Sequence, residues 1–194
     1  MPLRDLVVNN RSYRRFDEDS PVSMETLEEL ADLARYVASG ANKQPLKYVL
    51  VNDPAVNEKL FETLGWAAYL KDWKGPEQGE RPTAYILIAG DKNISDNFFC
   101  DHGIAAQTIL LGAVEKGYGG CILASINKKK AAAALELPEN LEILLMLALG
   151  KPAEKVVVEP VKDGDIKYWR SEDQVHHVPK RSLDELVHAR FPSE

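Results

Sequence analysis

The sequence predicts a mixed α/β chain in which a modest sheet lies between helices. Strand-sized apolar runs at Tyr48–Val51, Ala84–Ala89 and Leu141–Leu149 alternate with segments whose apolar residues recur at helical spacing. Asp53-Pro54, Gly117 and Asn127 punctuate them as helix starts and stops do. No internal repeat or low-complexity linker interrupts the 194 residues, so residues 1–194 are expected to form a single domain with a substantial core.

Ser23 can cap a helix in which Leu27, Leu30, Ala31, Ala34 and Val37 share a face. The strand Tyr48–Val51 follows, and Asp53-Pro54 then opens a helix carrying Val56, Leu60, Phe61 and Leu64 inward. Between Gly65 and Pro82 the pattern breaks down, and Trp66, Tyr69 and Trp73 stand among glycines, prolines and lysines. Such a segment is a candidate lid over a ligand; equally, the rings could cover the edge of the core. After the strand Ala84–Ala89 a long helix is expected from about Ser95 to Lys116, stopped by Gly117. Its stretch Gly103–Ala113 is apolar nearly all round, which predicts burial on most sides and suggests a subunit interface. Tyr118–Leu123 and Leu141–Leu149 read as strands, with a short helix capped by Asn127 between them. The tail holds strand-like Val156-Val157-Val158, polar Asp163-Gly164-Asp165 and a last helix opened by the capping box Ser182–Glu185.

Composition narrows the function classes. A net charge of −6 argues against general nucleic-acid binding, although it leaves room for a local basic pocket. The charged start Met1–Asp5 lacks the apolar core of an export signal, and no apolar run approaches a membrane span. Cys100 and Cys121 suit two reduced thiols, and neither they nor His176-His177 show metal-ligand spacing. The protein is expected to be cytoplasmic, with no membrane, nucleic-acid or metal partner. His176-His177 read as tail or packing histidines, and Lys128-Lys129-Lys130 as a solvated helix face.

Three weak signals carry chemistry. Arg11-Ser12-Tyr13-Arg14-Arg15-Phe16 sets three arginines beside a serine, a donor set for phosphate oxygens. It could also be a surface ion-pair cluster with Asp17, Glu18 and Asp19. Ser39-Gly40-Ala41-Asn42-Lys43-Gln44-Pro45 sits between the first long helix and the first strand. Asn42 and Gln44 carry both donors and acceptors, suited to a heterocycle edge, and Gly40 permits close backbone approach; an ordinary turn has the same composition. Lys180-Arg181 could hold an anion from the other chain end, or stand solvated.

Taken in order along the chain, these segments resemble the nitroreductase family of FMN enzymes over nearly the whole sequence. Arg-Ser-x-Arg comes first, then Ser-x-x-Asn-x-Gln-Pro entering a strand. An apolar central helix follows, ending in Glu115-Lys116-Gly117-Tyr118-Gly119-Gly120-Cys121, and a basic pair comes last. Ser39-Gly40-Ala41 is most similar to the branch near iodotyrosine deiodinases, although Gly65 stands where that branch carries a lid glutamate. The resemblance implies an α+β fold, a mixed sheet flanked by helices, and an intertwined homodimer that exchanges terminal segments and holds FMN at its interface. It implies that Arg11, Ser12, Tyr13 and Arg14 bind the phosphate and polar edge of FMN, with Lys180 or Arg181 completing the phosphate site. Ser39, Gly40, Asn42 and Gln44 would line the flavin ring, and Ile122, Leu123, Ala124 and Ser125 would run along its far face. Trp66, Tyr69 and Trp73 would overhang the substrate. Ala124 occupies a position that is acidic in some members.

The implied activity is an FMN-dependent oxidoreductase passing hydride from NAD(P)H through flavin N5 to an electron-poor acceptor, nitroaromatic or quinone, in ping-pong order. No side chain is needed as a nucleophile, and without a Gly-x-Gly-x-x-Gly loop NAD(P)H would be a visiting substrate. The alternatives are an FMN-binding or flavin-processing protein of the same fold without nitroreductase activity, and an interaction module without a cofactor.

Overall fold

The computed structural model describes residues 1–193. In chain order the elements are α1 (Leu3–Asn9), β1 (Phe16–Asp17), α2 (Met24–Arg35), a 3₁₀ turn (Gly40–Asn42), β2 (Leu46–Val51), α3 (Pro54–Phe61) and β3 (Ala84–Asp91). Then come α4 (Asp101–Glu115), β4 (Gly119–Leu123), α5 (Lys128–Ala134), β5 (Leu141–Pro152), β6 (Val156–Pro160), β7 (Trp169–Arg170), β8 (His176–Lys180) and α6 (Leu183–Leu186).

The helices start where side chains can take their orphan N–H groups. Ser23 Oγ accepts from Thr26 N at 3.1 Å, and Asp53 Oδ1 accepts from Ala55 N and Val56 N at 2.9 Å. Asn127 Oδ1 accepts from Lys130 N at 3.2 Å, and Ser182 and Glu185 close the capping box. The long central helix starts at Asp101 rather than Ser95. Ser95 Oγ instead closes a turn on Asn97, and Phe99 adopts φ 46°, which no α-helix accommodates. Val37 and Leu64 lie beyond the ends of α2 and α3, and Leu64 bridges to Ile126 instead.

The main sheet has the order β1-β5-β3-β2, with β4 also on β5, and every ladder in it is antiparallel. Among the described residues parallel pairing is confined to the isolated bridge Ser12–Gly120 and to β6–β8 in a second sheet, β6-β8-β7. β3 is buried on both faces, and its side chains alternate between two cores. Ala84, Ile86 and Ile88 pack with Leu27 and Leu30 of α2 and with Ala106, Ile109 and Leu110 of α4. Tyr85, Leu87 and Ala89 pack with Leu60 of α3, Ala131 of α5, Trp66 and Met146. Helices thus cover both faces, the arrangement of an α+β fold.

α4 is less enclosed than its composition suggested. Ala105, Ala106, Ile109, Leu110, Gly112 and Ala113 are buried, whereas Gly103, Ile104 and Gln107 face solvent. Beside that strip α1 leaves Leu3, Val7 and Val8 exposed. No helix among the described residues is long and apolar enough to cross a membrane.

Candidate active site

The Arg-Ser-x-Arg segment leaves α1 and lies against β4, with Tyr13 N donating to Gly120 O at 3.0 Å. Glycines make this approach possible. A Cβ on Gly119 would sit 2.5 Å from the Tyr13 ring, and one on Gly120 would sit 2.6 Å from Ala148 O. Tyr13 is thereby spent on packing, and its hydroxyl donates to Asn9 O at 3.2 Å. Burial raises its pKa, against the lowering effect of Arg11. Arg11 Nη2 donates to Val7 O and Arg14 Nη1 to Ser12 O, at 3.0 and 3.2 Å. The Nε–H groups of both arginines are buried with no partner among the described residues, and Ser12 is exposed beside them. Guanidinium groups on either side of a hydroxyl are a donor set chemically suited to an anion.

Behind this segment stands a buried network whose members are far apart in sequence. Glu154 Oε1 accepts from the backbone N–H of Arg14 at 2.5 Å and of Arg15 at 3.2 Å. Its Oε2 accepts from Arg170 Nη2 at 2.9 Å, the two side chains being 2% and 9% exposed. The Arg170 guanidinium lies 4.3 Å over the Trp73 ring. His176 is buried, with Nε2 3.3 Å from Arg14 Nη1. A guanidinium can only donate, so Nε2 accepts and the ring proton sits on Nδ1. Burial, with the nearby charges of Arg14, Arg170, His177 and Arg15, lowers the His176 pKa from 6.5 to about 4.

A neutral buried histidine has a defined pH signature. The unfolded chain takes up a proton at His176 below pH 6.5 and the folded chain does so only near 4, so folding stability falls as pH drops through that window. The loss approaches about 3 kcal/mol at its limit, and above the window His176 contributes no pH dependence. Urea unfolding of wild type and His176→Gln between pH 7 and 4 should show a shallower acid limb in the variant. Superimposable acid limbs would refute a neutral His176.

The turn Ser39–Gln44 is shaped by Asp101, a buried acid in the first turn of α4. Ser39 Oγ donates to Asp101 Oδ2 at 2.7 Å and accepts from Gln44 N at 2.9 Å, and Gly40 N donates to Asp101 Oδ1 at 3.0 Å. Ser39 therefore positions the turn, its hydroxyl already committed. Gly40 is required by Phe99, whose ring would lie 2.5 Å from a Cβ there. Ala41, Asn42 and Gln44 hold φ of 51°, 52° and 51°. Left-handed backbone costs each non-glycine residue about 1 kcal/mol or more and clusters at ligand sites. Gln44 Nε2 donates to Asn42 O and Oδ1 at 3.1 and 3.2 Å. Asn42 Nδ2 remains as a donor and Gln44 Oε1 as an acceptor, both residues being exposed.

Beyond β4 the alternation of strand faces sorts the next residues. Ile122, Ala124 and Ser125 are exposed, while the Leu123 side chain is buried in the second core and turned away from the face that Ile122 and Ala124 share. Ser125 O accepts from Gly65 N at 2.8 Å, which ties the aromatic segment to the end of β4. Only Tyr69 of that segment is an exposed ring, at 47%. Trp66 is buried against Phe61 and Gly75, and Trp73 packs on the second core beneath Arg170, so neither overhangs a site in this chain.

Lys180 and Arg181 are exposed at the far end of β8 from His176, and Arg181 Nη1 lies 3.4 Å from Glu185. Among the described residues, no hydrogen bond or ion pair joins either to Arg11–Arg14, nor the Ser39–Gln44 turn to that segment. Sequence reasoning missed Asp101, Glu154 and Arg170. Glu154 lies 140 residues from its Arg14 partner, and no local pattern signals such a pair.

An antiparallel sheet covered by helices on both faces, with a basic N-terminal segment on the strand next to its centre, places the chain in the α+β class. The family follows from comparison. The sequence matches the model described as Nitroreductase family over residues 7–151, and the chain belongs to that family. YodC of Bacillus subtilis, classed by its name with the NAD(P)H nitroreductases, is 24% identical over 177 residues, covering 76% of this chain and 88% of that protein. A nitroreductase-like protein of Streptococcus mutans shares the fold at a TM-score of 0.70 and 18% identity, over 97% of this chain and 98% of its own. A structure from Clostridium difficile described as an FMN-dependent nitroreductase superposes at a TM-score of 0.62 and 22% identity, over 79% of this chain and 89% of its own.

Proposed function

We propose that the protein is an FMN-dependent oxidoreductase, active as a homodimer, that uses NAD(P)H to reduce electron-poor nitroaromatics or quinones. The observation that carries this reading is the basic segment held against β4, in which half-buried Arg11 and Arg14 flank exposed Ser12. That donor set fits the phosphate and polar edge of FMN. The cofactor is named for the Clostridium difficile neighbour, and NAD(P)H for the Bacillus subtilis relative.

When bound, FMN supplies the hydride chemistry through N5, and the protein binds, orients and tunes it. Arg11, Ser12 and Arg14 would hold its anionic groups. Lys180 or Arg181, free of contacts to that segment within one chain, would reach a phosphate site from the exchanged tail of the second subunit. Asn42 Nδ2 and Gln44 Oε1 would meet the flavin's alternating carbonyl and N–H edge. Ile122, Ala124 and Ser125 would form the floor, and Tyr69 the ring facing the acceptor. The guanidinium groups would also stabilise negative charge developing on the reduced ring. The exposed strip of Leu3, Val7, Val8 and Ile104, with Leu183, Leu186 and Phe191 of the tail, supplies the apolar surface a subunit interface needs.

The deciding experiment is an absorbance spectrum of the purified protein, followed by anaerobic addition of NADH and then NADPH. Flavin that bleaches with one nucleotide and recovers with a nitroaromatic or quinone is the expected result. Bound flavin that neither nucleotide bleaches would favour a flavin-processing role. No flavin after added FMN would refute the cofactor assignment.

A further inference from the structure

Tyr168 stands just before β7, half-buried, and touches both parts of the site described above. On one side its hydroxyl accepts from the backbone N–H of Tyr69 at 3.3 Å, and the two rings lie 4.9 Å apart at 55°. On the other side the Arg14 guanidinium lies 4.9 Å over its ring, and the His176 ring is 5.2 Å away. Two residues on, Arg170 repeats the bridge: it covers Trp73 and pairs with Glu154, which holds the Arg14 and Arg15 amides. The segment Tyr168–Arg170 therefore joins the aromatic stretch 66–73 to the arginine segment at two points, while Tyr69 remains exposed.

From these contacts we infer that Tyr168 is a positioning residue that sets the place of Tyr69 relative to Arg14, and so the acceptor selectivity of the site. The inference rests on the proposed oxidoreductase reading for its kinetic consequence, and on geometry alone for the tie itself. A hydroxyl accepting one backbone N–H anchors a segment that has few other hydrogen bonds. The cation–π contact with Arg14 fixes the Tyr168 ring against the part of the fold that holds an anion. Tyr69 would then be presented to an acceptor as a fixed ring, favouring planar aromatic acceptors over smaller ones.

The test is Tyr168→Phe, which keeps the ring and removes the acceptor oxygen, with Tyr168→Leu removing the ring as well. Hydrogen exchange at the Tyr69 amide should speed up by about tenfold in Tyr168→Phe, the value of one lost hydrogen bond. In the flavin-loaded enzyme, KM for a nitroaromatic should rise several-fold with kcat held, and KM for a small quinone should change less. Unchanged exchange at Tyr69 would overturn the tie. Equal losses in kcat and KM for both acceptors, or loss of flavin from Tyr168→Phe, would overturn the selectivity role in favour of a merely structural one. Because the exchange arm needs no turnover, a protein without reductase activity would sink the oxidoreductase reading and still report on the tie.

Discussion

Glu154→Ala is expected to lower folding stability by about 3–5 kcal/mol, the range for breaking a buried ion pair by removing one partner. Its carboxylate serves three donors at once, the amides of Arg14 and Arg15 and the guanidinium of Arg170. Without it, two backbone N–H groups lose their acceptor and Arg170, with a side chain 9% exposed, keeps its charge without its partner. Three arginines and a histidine meet there, so loss of this buried acid also leaves their mutual repulsion less opposed. The control is the exposed pair Arg35–Asp32, whose side chains are 61% and 54% accessible, where Arg35→Ala should cost under about 1 kcal/mol. Urea unfolding at pH 7 measures both. A cost for Glu154→Ala no larger than that of Arg35→Ala would show that the network is not the tie between the two ends of the chain.

Arg14→Ala should weaken FMN binding by about 1.5–3 kcal/mol, which is roughly a tenfold to more than hundredfold rise in Kd, as for loss of a charge-assisted hydrogen bond. Quenching of flavin fluorescence on titration into the apo-protein reads the change. Arg14→Lys should recover only part of it, since an ammonium is a point charge and cannot reproduce the planar fork. Arg14 also donates to Ser12 O and faces His176, so the melting temperature of each variant must be measured alongside. Wild-type affinity in a folded Arg14→Ala protein would remove Arg14 from the cofactor site.

Those two positions mark the boundary of what the sequence discloses. β3 is legible because a strand buried on both faces must be a near-continuous apolar run, and Ala84–Ala89 is one. The caps at Ser23, Asp53, Asn127 and Ser182 are legible because capping is local chemistry. α1 escapes notice because it buries no residue and so shows no inward periodicity. The start of α4 is misread because Ser95 has the chemistry of a cap but spends it on a turn, and only the backbone of Phe99 reveals the break. In the site, Arg11, Ser12, Arg14 and the Asn42–Gln44 turn stand out as unusual donors. Ser39, Gly40 and Tyr13 turn out to be engaged by Asp101, Phe99 and Gly119, partners that only folding brings near. Trp66, Trp73 and Leu123 are apolar in a way that suits either a ligand or a core, and within this chain their side chains pack on the second core.

The outer edge of β2 has a bearing on the protein's behaviour before any ligand binds. Among the described residues β2 pairs only with β3, so Leu46–Val51 presents a row of unpaired N–H and C=O groups to its other side. The strand gives that row one guard, exposed Lys47, against five largely apolar neighbours. A bare edge of this kind nucleates cross-chain pairing at high concentration, when the protein is newly made or partly melted. A strand added along that edge, from this chain or another, would satisfy those groups and remove the hazard.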